Sequence, residues 1–375
     1  MSEELHVDIM FDILTLLPIK SILRFRCLSK YYCGLIDGPD FINYHLNLTK
    51  SKSNGLLIFN EVHQDGSIYQ LDLDSRFRRT LKLEMQRVPF LKHSCDSNVL
   101  YGDMFGSCNG LVAMYNHQGI TLWNPSTKSQ QLVRKFWTGD IRFDGFGYDA
   151  AANDYKVVII TKEDSETLFR VMIYSLKDNS STRIQDLETP SPNYDKYYNN
   201  LMSVFVGSSL HWVVIPREEP MSVYHNILLA FDLRNRQFNE VLQPTIADEG
   251  IKFMNMVVEL KGCLCTSYAY NNRADIWIMK EYGVRESWTK LFSMGYNVYM
   301  ELKPLLYVKS DRILVEAVQG ITHSWLDPTS HTTEILYPFG KSGRRHRVGI
   351  LCARSLVPLP HKIHAGNYYW YSVLF

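Results

Sequence analysis

The sequence predicts a mainly β protein with a small α-helical N-terminal domain: three short helices, then a β-propeller of about six four-stranded blades closed by the C-terminal strand. Three observations carry this expectation. Six strand-like hairpins recur, with turns at Asp72, Asn124, Lys177, Asp232, Lys280 and Asp327, spaced by about fifty residues, a period that belongs to propeller blades. Two further strand candidates precede each hairpin after the first. The opening segment has helical rather than alternating apolar spacing and ends where the repeats begin.

In the opening segment, Ile9, Ile13, Leu14, Leu16 and Leu17 follow a helical period, and Pro18 ends that helix. A second run holds Ile19, Ile22, Leu23 and Phe25, with Lys20, Arg24 and Arg26 polar between them. Ser29 is placed to cap a third helix through Ile36. Gly38-Pro39 breaks it, and Asp40 caps one last turn through Leu46. Helices this short bury too little apolar surface to stand alone, so they pack on the body or a partner completes their core.

The repeats read as strands A, B, C and D. Strands A and B are DMFGSC and GLVAMYN in the second unit, FDGFGY and YKVVIIT in the third, and LMSVFVG and SLHWVVI in the fourth. They are NMVVEL and CLCTSYA in the fifth, and PLLYVKS and RILVEAV in the sixth. Pairs such as Asn109-Gly110 and Asn153-Asp154 supply the positive φ of tight hairpins. The first unit has GLLIFN for strand B but no strand A, while Val348 to Pro358 is a strand without a blade. Pairing the two closes the ring and removes both open sheet edges. The expected division is residues 1–50 as the helical domain, 54–358 as the propeller and 359–375 as a tail.

With 40 basic against 39 acidic residues the chain carries no footprint for nucleic acid or membrane surfaces. No apolar run is long enough to span a bilayer. The MSEELHVD start is acidic without an apolar core, and the 7 Cys form no tight framework, so cytoplasmic or nuclear residence with reduced thiols is expected.

No catalytic constellation emerges, and no cofactor or metal is expected. The GFGYDA segment (Gly145–Ala150) fits a dinucleotide pattern but runs into the strand NDYKVVII instead of a helix. Gly106-Ser107-Cys108-Asn109-Gly110 has its Ser one place too early for a nucleophile elbow. Cys263 and Cys265 lack a second pair for zinc. His361 and His364 have no acidic partner nearby, and Glu218-Glu219 beside Arg217 reads as a hydrated loop.

In up-and-down blades the A–B and C–D turns share one face, and the B–C and D–A connections share the other. The long connections here are of the second kind: Gln86–Leu100, Glu188–Asn200, Pro216–His225, Gln243–Gly250 and Pro338–Arg347. Long loops on one face of a rigid scaffold are where binding sits. Tyr194, Tyr197 and Tyr198, with Arg217, Glu218 and Tyr224, are read as a protein-binding cluster on neighbouring blades. Lys341, Arg344, Arg345 and Arg347 are suited to an acidic segment.

Leu5 to Leu46, and most specifically LPIKSILRFRCLSK (Leu17–Lys30), resembles an F-box, the adaptor-docking module of cullin–RING ubiquitin ligases. The chain departs from that pattern at His6, where the family has Pro, and at Tyr32, where it has Trp. The segments Ser107–Leu132, Phe143–Val158 and Asp275–Lys290 resemble the kelch-like F-box-associated domain of plant F-box proteins, in the group of S-locus and immune-regulating members. The resemblance implies a non-catalytic substrate receptor. A Skp-type adaptor would be bound through Leu5, His6, Ile9, Leu14, Leu17, Pro18, Ile22, Leu23 and Leu28, residues that core and docking face share. Through the adaptor come cullin and RING protein, and the propeller holds a protein substrate, in self-incompatibility or another pathway. Two alternatives stand beside it: a free-standing propeller that binds a ligand or hides an enzyme site, and a head that His6 and Tyr32 have turned into a non-docking decoy.

Overall fold

The computed structural model describes residues 7–51, 55–60, 68–73, 86–87, 104–116, 119–162, 169–187, 194–196, 202–216, 226–246, 253–270, 273–295, 302–307, 312–317, 322–327, 332–338 and 349–359. The head holds four helices where three and a turn were expected: α1 (Val7–Thr15), α2 (Ile19–Arg26), α3 (Lys30–Ile36) and α4 (Pro39–Ser51). Ser29 caps α3 as predicted, its Oγ accepting from Tyr32 N at 3.3 Å. The last turn lengthens into α4 because Pro39, which has no N–H to leave unpaired, opens it, while Phe41, Ile42, His45, Leu46 and Thr49 form one buried stripe.

Sheet 1 holds β1 (Gly55–Asn60), β2 (Ile68–Asp72) and β3 (Gln86–Arg87). Sheet 2 holds β4 (Met104–Cys108), β5 (Leu111–Asn116), β6 (Gly119–Asn124) and β7 (Ser129–Arg134). Sheet 3 holds β8 (Asp140–Asp149), β9 (Asp154–Lys162), β10 (Phe169–Ser175) and β11 (Ser180–Leu187). Sheet 4 holds β12 (Tyr194–Lys196), β13 (Val204–Val206), β14 (Ser209–Pro216), β15 (Ile227–Asp232) and β16 (Gln237–Glu240). Sheet 5 holds β17 (Phe253–Leu260), β18 (Cys263–Ala269), β19 (Arg273–Met279) and β20 (Trp288–Gly295). Sheet 6 holds β21 (Leu302–Tyr307), β22 (Ile313–Ala317), β23 (Thr322–Asp327) and β24 (Thr332–Pro338). Finally β25 (Ile350–Ala353) returns to sheet 1, pairing antiparallel with β1 from Gly55↔Ala353 to Ile58↔Ile350.

All predicted hairpin turns fall at or just beyond the ends of β2, β6, β10, β15, β19 and β23. The innermost strands neighbour one another in a closed circuit: β25 with β4, then β8, β13, β17, β21 and back to β25. Five sheets have four strands each, while sheet 4 departs from the expected pattern with five. Its inner strand is broken: β12 pairs β14 from Tyr194↔Pro216 to Lys196↔Val214, and β13 resumes along the same edge at Val204↔His211.

The sheets are joined by buried aromatic and polar contacts. Trp123, Trp212, Phe105, Phe143, Phe146 and Phe231 are fully buried. Trp212 Nε1 donates to Asp144 O at 2.9 Å, from sheet 4 to sheet 3, and Trp288 Nε1 to Leu242 O at 2.9 Å, from sheet 5 to sheet 4. Arg285 Nε also reaches Gln243 O, at 2.9 Å. The motif around DIWIMKEYGVRESWTK therefore staples neighbouring sheets together. Gly145 has a packing role too, since a Cβ there would lie 2.6 Å from Leu210 Cδ1.

His211, fully buried on β14, bridges Val204 O (Nδ1, 3.0 Å) and the Tyr282 hydroxyl (Nε2, 2.8 Å). A carbonyl only accepts, so Nδ1 carries the proton and Nε2 accepts from Tyr282. Burial lowers this imidazole to about 4. The unfolded ring gains its proton near pH 6.5 and the folded one does not, so the contribution is full above pH 6.5 and is lost as pH falls towards 4. Its size is on the order of 3 kcal/mol. His211→Asn should flatten this part of the pH dependence, measured as the difference in unfolding free energy between pH 7 and pH 4.5.

Candidate docking face

The helical head rests on the sheets through one continuous core. Leu14, Ile22, Ile36, Phe41 and Leu46 share it with Phe105, Cys108 and Leu111 of sheet 2 and with Leu356 and Val357 beyond β25. Lys50 Nζ donates to Asn109 Oδ1 at 2.6 Å, fixing the end of α4 to the A–B turn of sheet 2. The chain after β25 straps over the neighbouring C–D turn: Asn124 Nδ2 donates to Ser355 O at 3.1 Å and Val357 O at 2.9 Å. Ser355 N in turn donates to Ser126 Oγ at 3.2 Å. Gly110, at φ +81°, lets the strap pass, since a Cβ there would stand 2.1 Å from Ser355 Cβ.

That mounting leaves a greasy outer face. Val7, Ile9, Ile13, Leu16, Leu28, Tyr31 and Tyr44 are exposed, Leu16 at 73% and Leu28 at 66%. Elsewhere among the described residues, the exposed large apolar side chains are Leu242, Tyr282 and Val284. Ile9 and Ile13 on α1 and Leu16 in the turn just after it are exposed, whereas Met10 and Leu14 are buried. Concentrated apolar exposure of this kind marks an interaction site. The helices are also tied to one another at the surface. Arg26 forks onto Asp37, Nε to Oδ1 at 2.6 Å and Nη2 to Oδ2 at 2.7 Å, tying the end of α2 to the end of α3. The guanidinium draws the Asp37 carboxyl below its usual range. Phe11 packs edge-on to Phe41 at 5.1 Å, and Tyr32 edge-on to Phe25 at 5.9 Å, so Tyr32 fills an aromatic packing place.

Of the residues expected at an adaptor contact, Ile9, Pro18 and Leu28 are exposed, and Leu17 and Leu23 are half-buried against the core. Leu14 and Ile22 are fully buried in this chain, the core part of a set expected to serve both core and docking face. Leu5 and His6 lie outside the described residues. Val7, Ile13, Leu16, Tyr31 and Tyr44 were missed. The Ile9–Ile13–Leu16 spacing was the available signal, but nothing local marks the two tyrosines.

Of the expected substrate residues, Tyr194 lies on β12 rather than in a loop, with its backbone paired to Pro216. Tyr197, Tyr198, Arg217, Glu218, Tyr224, Arg344 and Arg345 lie outside the described residues. The pairing corrects one reading: Tyr194 on β12 lies in the same sheet as β14 and β15, not in a neighbouring one. It places Tyr194 at the end of β14 away from the A–B turns, hence away from the head.

GFGYDA runs along β8 into a hairpin, and Gly106–Gly110 forms the end and turn of β4. Among the described residues no group of His, Cys, Asp and Glu is arranged to hold a metal ion, and no helix is long and apolar enough to cross a membrane.

A family model described as F-box domain matches residues 3–44, and one described as F-box associated beta propeller domain matches residues 62–364. The F-box protein CPR1 of Arabidopsis thaliana is 32% identical over 349 residues, 86% of this chain and 81% of the relative. The F-box protein At4g22390 of the same plant is 26% identical over 360 residues, 88% of this chain and 85% of the relative. Among solved structures, TolB from Acinetobacter baumannii gives a TM-score of 0.43 at 10% identity, covering 86% of this chain and 73% of its own. An oligogalacturonate lyase in complex with manganese gives 0.42 at 12%, covering 74% and 72%. Likenesses this loose assign neither a binding partner nor a reaction.

Proposed function

Because the chain belongs to the plant F-box proteins that carry an F-box-associated β-propeller, we propose that it is the substrate-recognition subunit of an SCF-type cullin–RING ubiquitin ligase. Residues 1–50 form the adaptor-docking unit, 54–358 the substrate-recognition unit, with the six sheets as its blades, and 359–375 a tail. The observation that carries this reading is the exposed apolar face of Ile9, Ile13, Leu16 and Leu28 on a head otherwise bonded to the sheets. A Skp-type adaptor covers that face and brings cullin and RING protein. The propeller holds a protein substrate, and ubiquitination is accelerated by proximity, the substrate lysine being kept at high effective concentration near the charged carrier. The subunit makes no bond itself, and its place of action is the cytoplasm or nucleus.

The head joins the sheets on the side of the A–B and C–D turns, so adaptor and substrate occupy opposite sides of the ring. The free-standing alternative requires the head to be sheathed by its own ring. Its apolar outer face speaks against that and against a decoy. The full chain mixed with a purified plant Skp-type adaptor should elute from size-exclusion chromatography as a 1:1 complex. Separate elution at micromolar concentrations would sink the reading.

A further inference from the structure

On β8 the register slips by one residue: Ile141 faces Thr161 and Phe143 faces Ile160, leaving Arg142 as the extra residue of a bulge. A bulge leaves its extra residue out of the ladder and re-aims the local side chains. Phe143 packs towards sheet 4 with Ile160 and Trp212. Ile141 packs the other way, with Trp137 and Ile159. Arg142 sits between the two, level with Thr161 and Arg170, which are paired across β9 and β10. All of these lie at the end of sheet 3 opposite the head.

Arg170 is anchored there, Nη1 donating to Thr138 Oγ1 at 2.9 Å. Asp144, two residues beyond Arg142, accepts from the Tyr115 hydroxyl at 3.0 Å. Arg142 has neither kind of engagement: among the described residues it makes no hydrogen bond or ion pair, and its Nε is buried without a partner. The residue as a whole is only partly buried, so the outer guanidinium nitrogens stay open to solvent. Thr161, with no exposed surface, also leaves its Oγ1 unpaired. A guanidinium with a buried neck and a fork open to solvent is arranged to take a carboxylate by two parallel N–H···O bonds. Asp140, exposed two residues before Arg142, is the acidic group at the rim.

We propose that Arg142 is a specificity-determining residue that receives an acidic side chain of the protein substrate at the inner rim of sheet 3. The proposal rests on the substrate-receptor reading and gives the substrate segment its chemistry: anionic, entering on the side away from the adaptor.

Fluorescence anisotropy of the full chain with labelled hexaglutamate, hexaglutamine and hexaphosphoserine peptides tests it. Hexaglutamate should bind more tightly than hexaglutamine, and Arg142→Gln should weaken it about tenfold, the loss of one charge-assisted bidentate contact. Arg142→Lys should restore part of the loss, and Arg24→Gln on the head should leave binding unchanged. Equal binding of hexaglutamate to wild type and Arg142→Gln overturns the proposal. Tighter binding of hexaphosphoserine overturns the carboxylate assignment in favour of phosphate. Adaptor complex formation, measured on the same preparations, should be unaffected by Arg142→Gln, so failure here and failure of the ligase reading are told apart.

Discussion

Ending the chain after Val348 is expected to leave no soluble monomer with a cooperative melt. That truncation removes β25 and the strap together. It exposes the ladder edge of β1 and removes the neighbour of both β4 and β21, and open edges invite aggregation. It also deletes the burial of Ile350, Cys352, Leu356 and Val357. At about 1.5–3 kcal/mol for each large apolar side chain, the loss is comparable to the whole stability of a typical domain, roughly 5–15 kcal/mol. The closure is polar as well. Lys303 Nζ donates to Gly349 O at 3.2 Å, and Gly349 N donates to Glu316 Oε1 at 3.0 Å. Burial pushes the Glu316 carboxyl up and the Lys303 ammonium down, each opposed by the other's charge. Circular dichroism of the truncated chain against full length checks the expectation, and an unchanged melting temperature would refute the closure argument.

Leu16→Asp combined with Leu28→Asp should weaken adaptor binding by about 100-fold or more while leaving the melting temperature within a degree or two of wild type. Both side chains are largely in solvent in the free chain, so an aspartate costs the fold little. In the complex each loses about 1.5–3 kcal/mol of apolar burial, and each 1.4 kcal/mol is a factor of ten in affinity. Leu14→Ala is the contrasting substitution. This fully buried residue should cost about 2–5 kcal/mol of stability through the cavity it leaves, and weaken adaptor capture only as the head loosens. Isothermal titration calorimetry and differential scanning calorimetry on both variants separate surface from core. An unchanged affinity in the double aspartate variant would place the docking face elsewhere.

Most of the ring was legible because its signals are local. Turn residues at a fixed period, left-handed Asn109 and Gly110 and an orphan strand within Val348–Pro358 announce themselves within a few positions, although the strand is confined to Ile350–Ala353 and the chain after it is the strap. The Ser29 cap and the ends of α3 were equally plain. What the sequence hid is long-range. That Tyr194 pairs with Pro216, while Val204 pairs with His211 further along the same strand, is a matter of register that no periodicity announces. The split of the head into core and face turned on which side of α1 meets α4, so Leu14 could not be told from Ile13 and Leu16 by apolar content. Asn124 looks like any turn asparagine. That its amide holds the strap at Ser355 and Val357 follows only from ring closure. The bulge that frees Arg142 is likewise a matter of register between two strands, which neither strand declares alone.

The strap joins events that translation separates in time. The F-box helices leave the ribosome first, yet their seat is completed by Leu356 and Val357, made after every blade. A nascent chain therefore displays loosely held helices until synthesis has passed the closing strand. Prematurely terminated products carry the F-box helices without the Leu356 and Val357 part of their seat. The mounting of the helices is thus the last part of the core to be completed, and the strap beyond the final strand is what completes it.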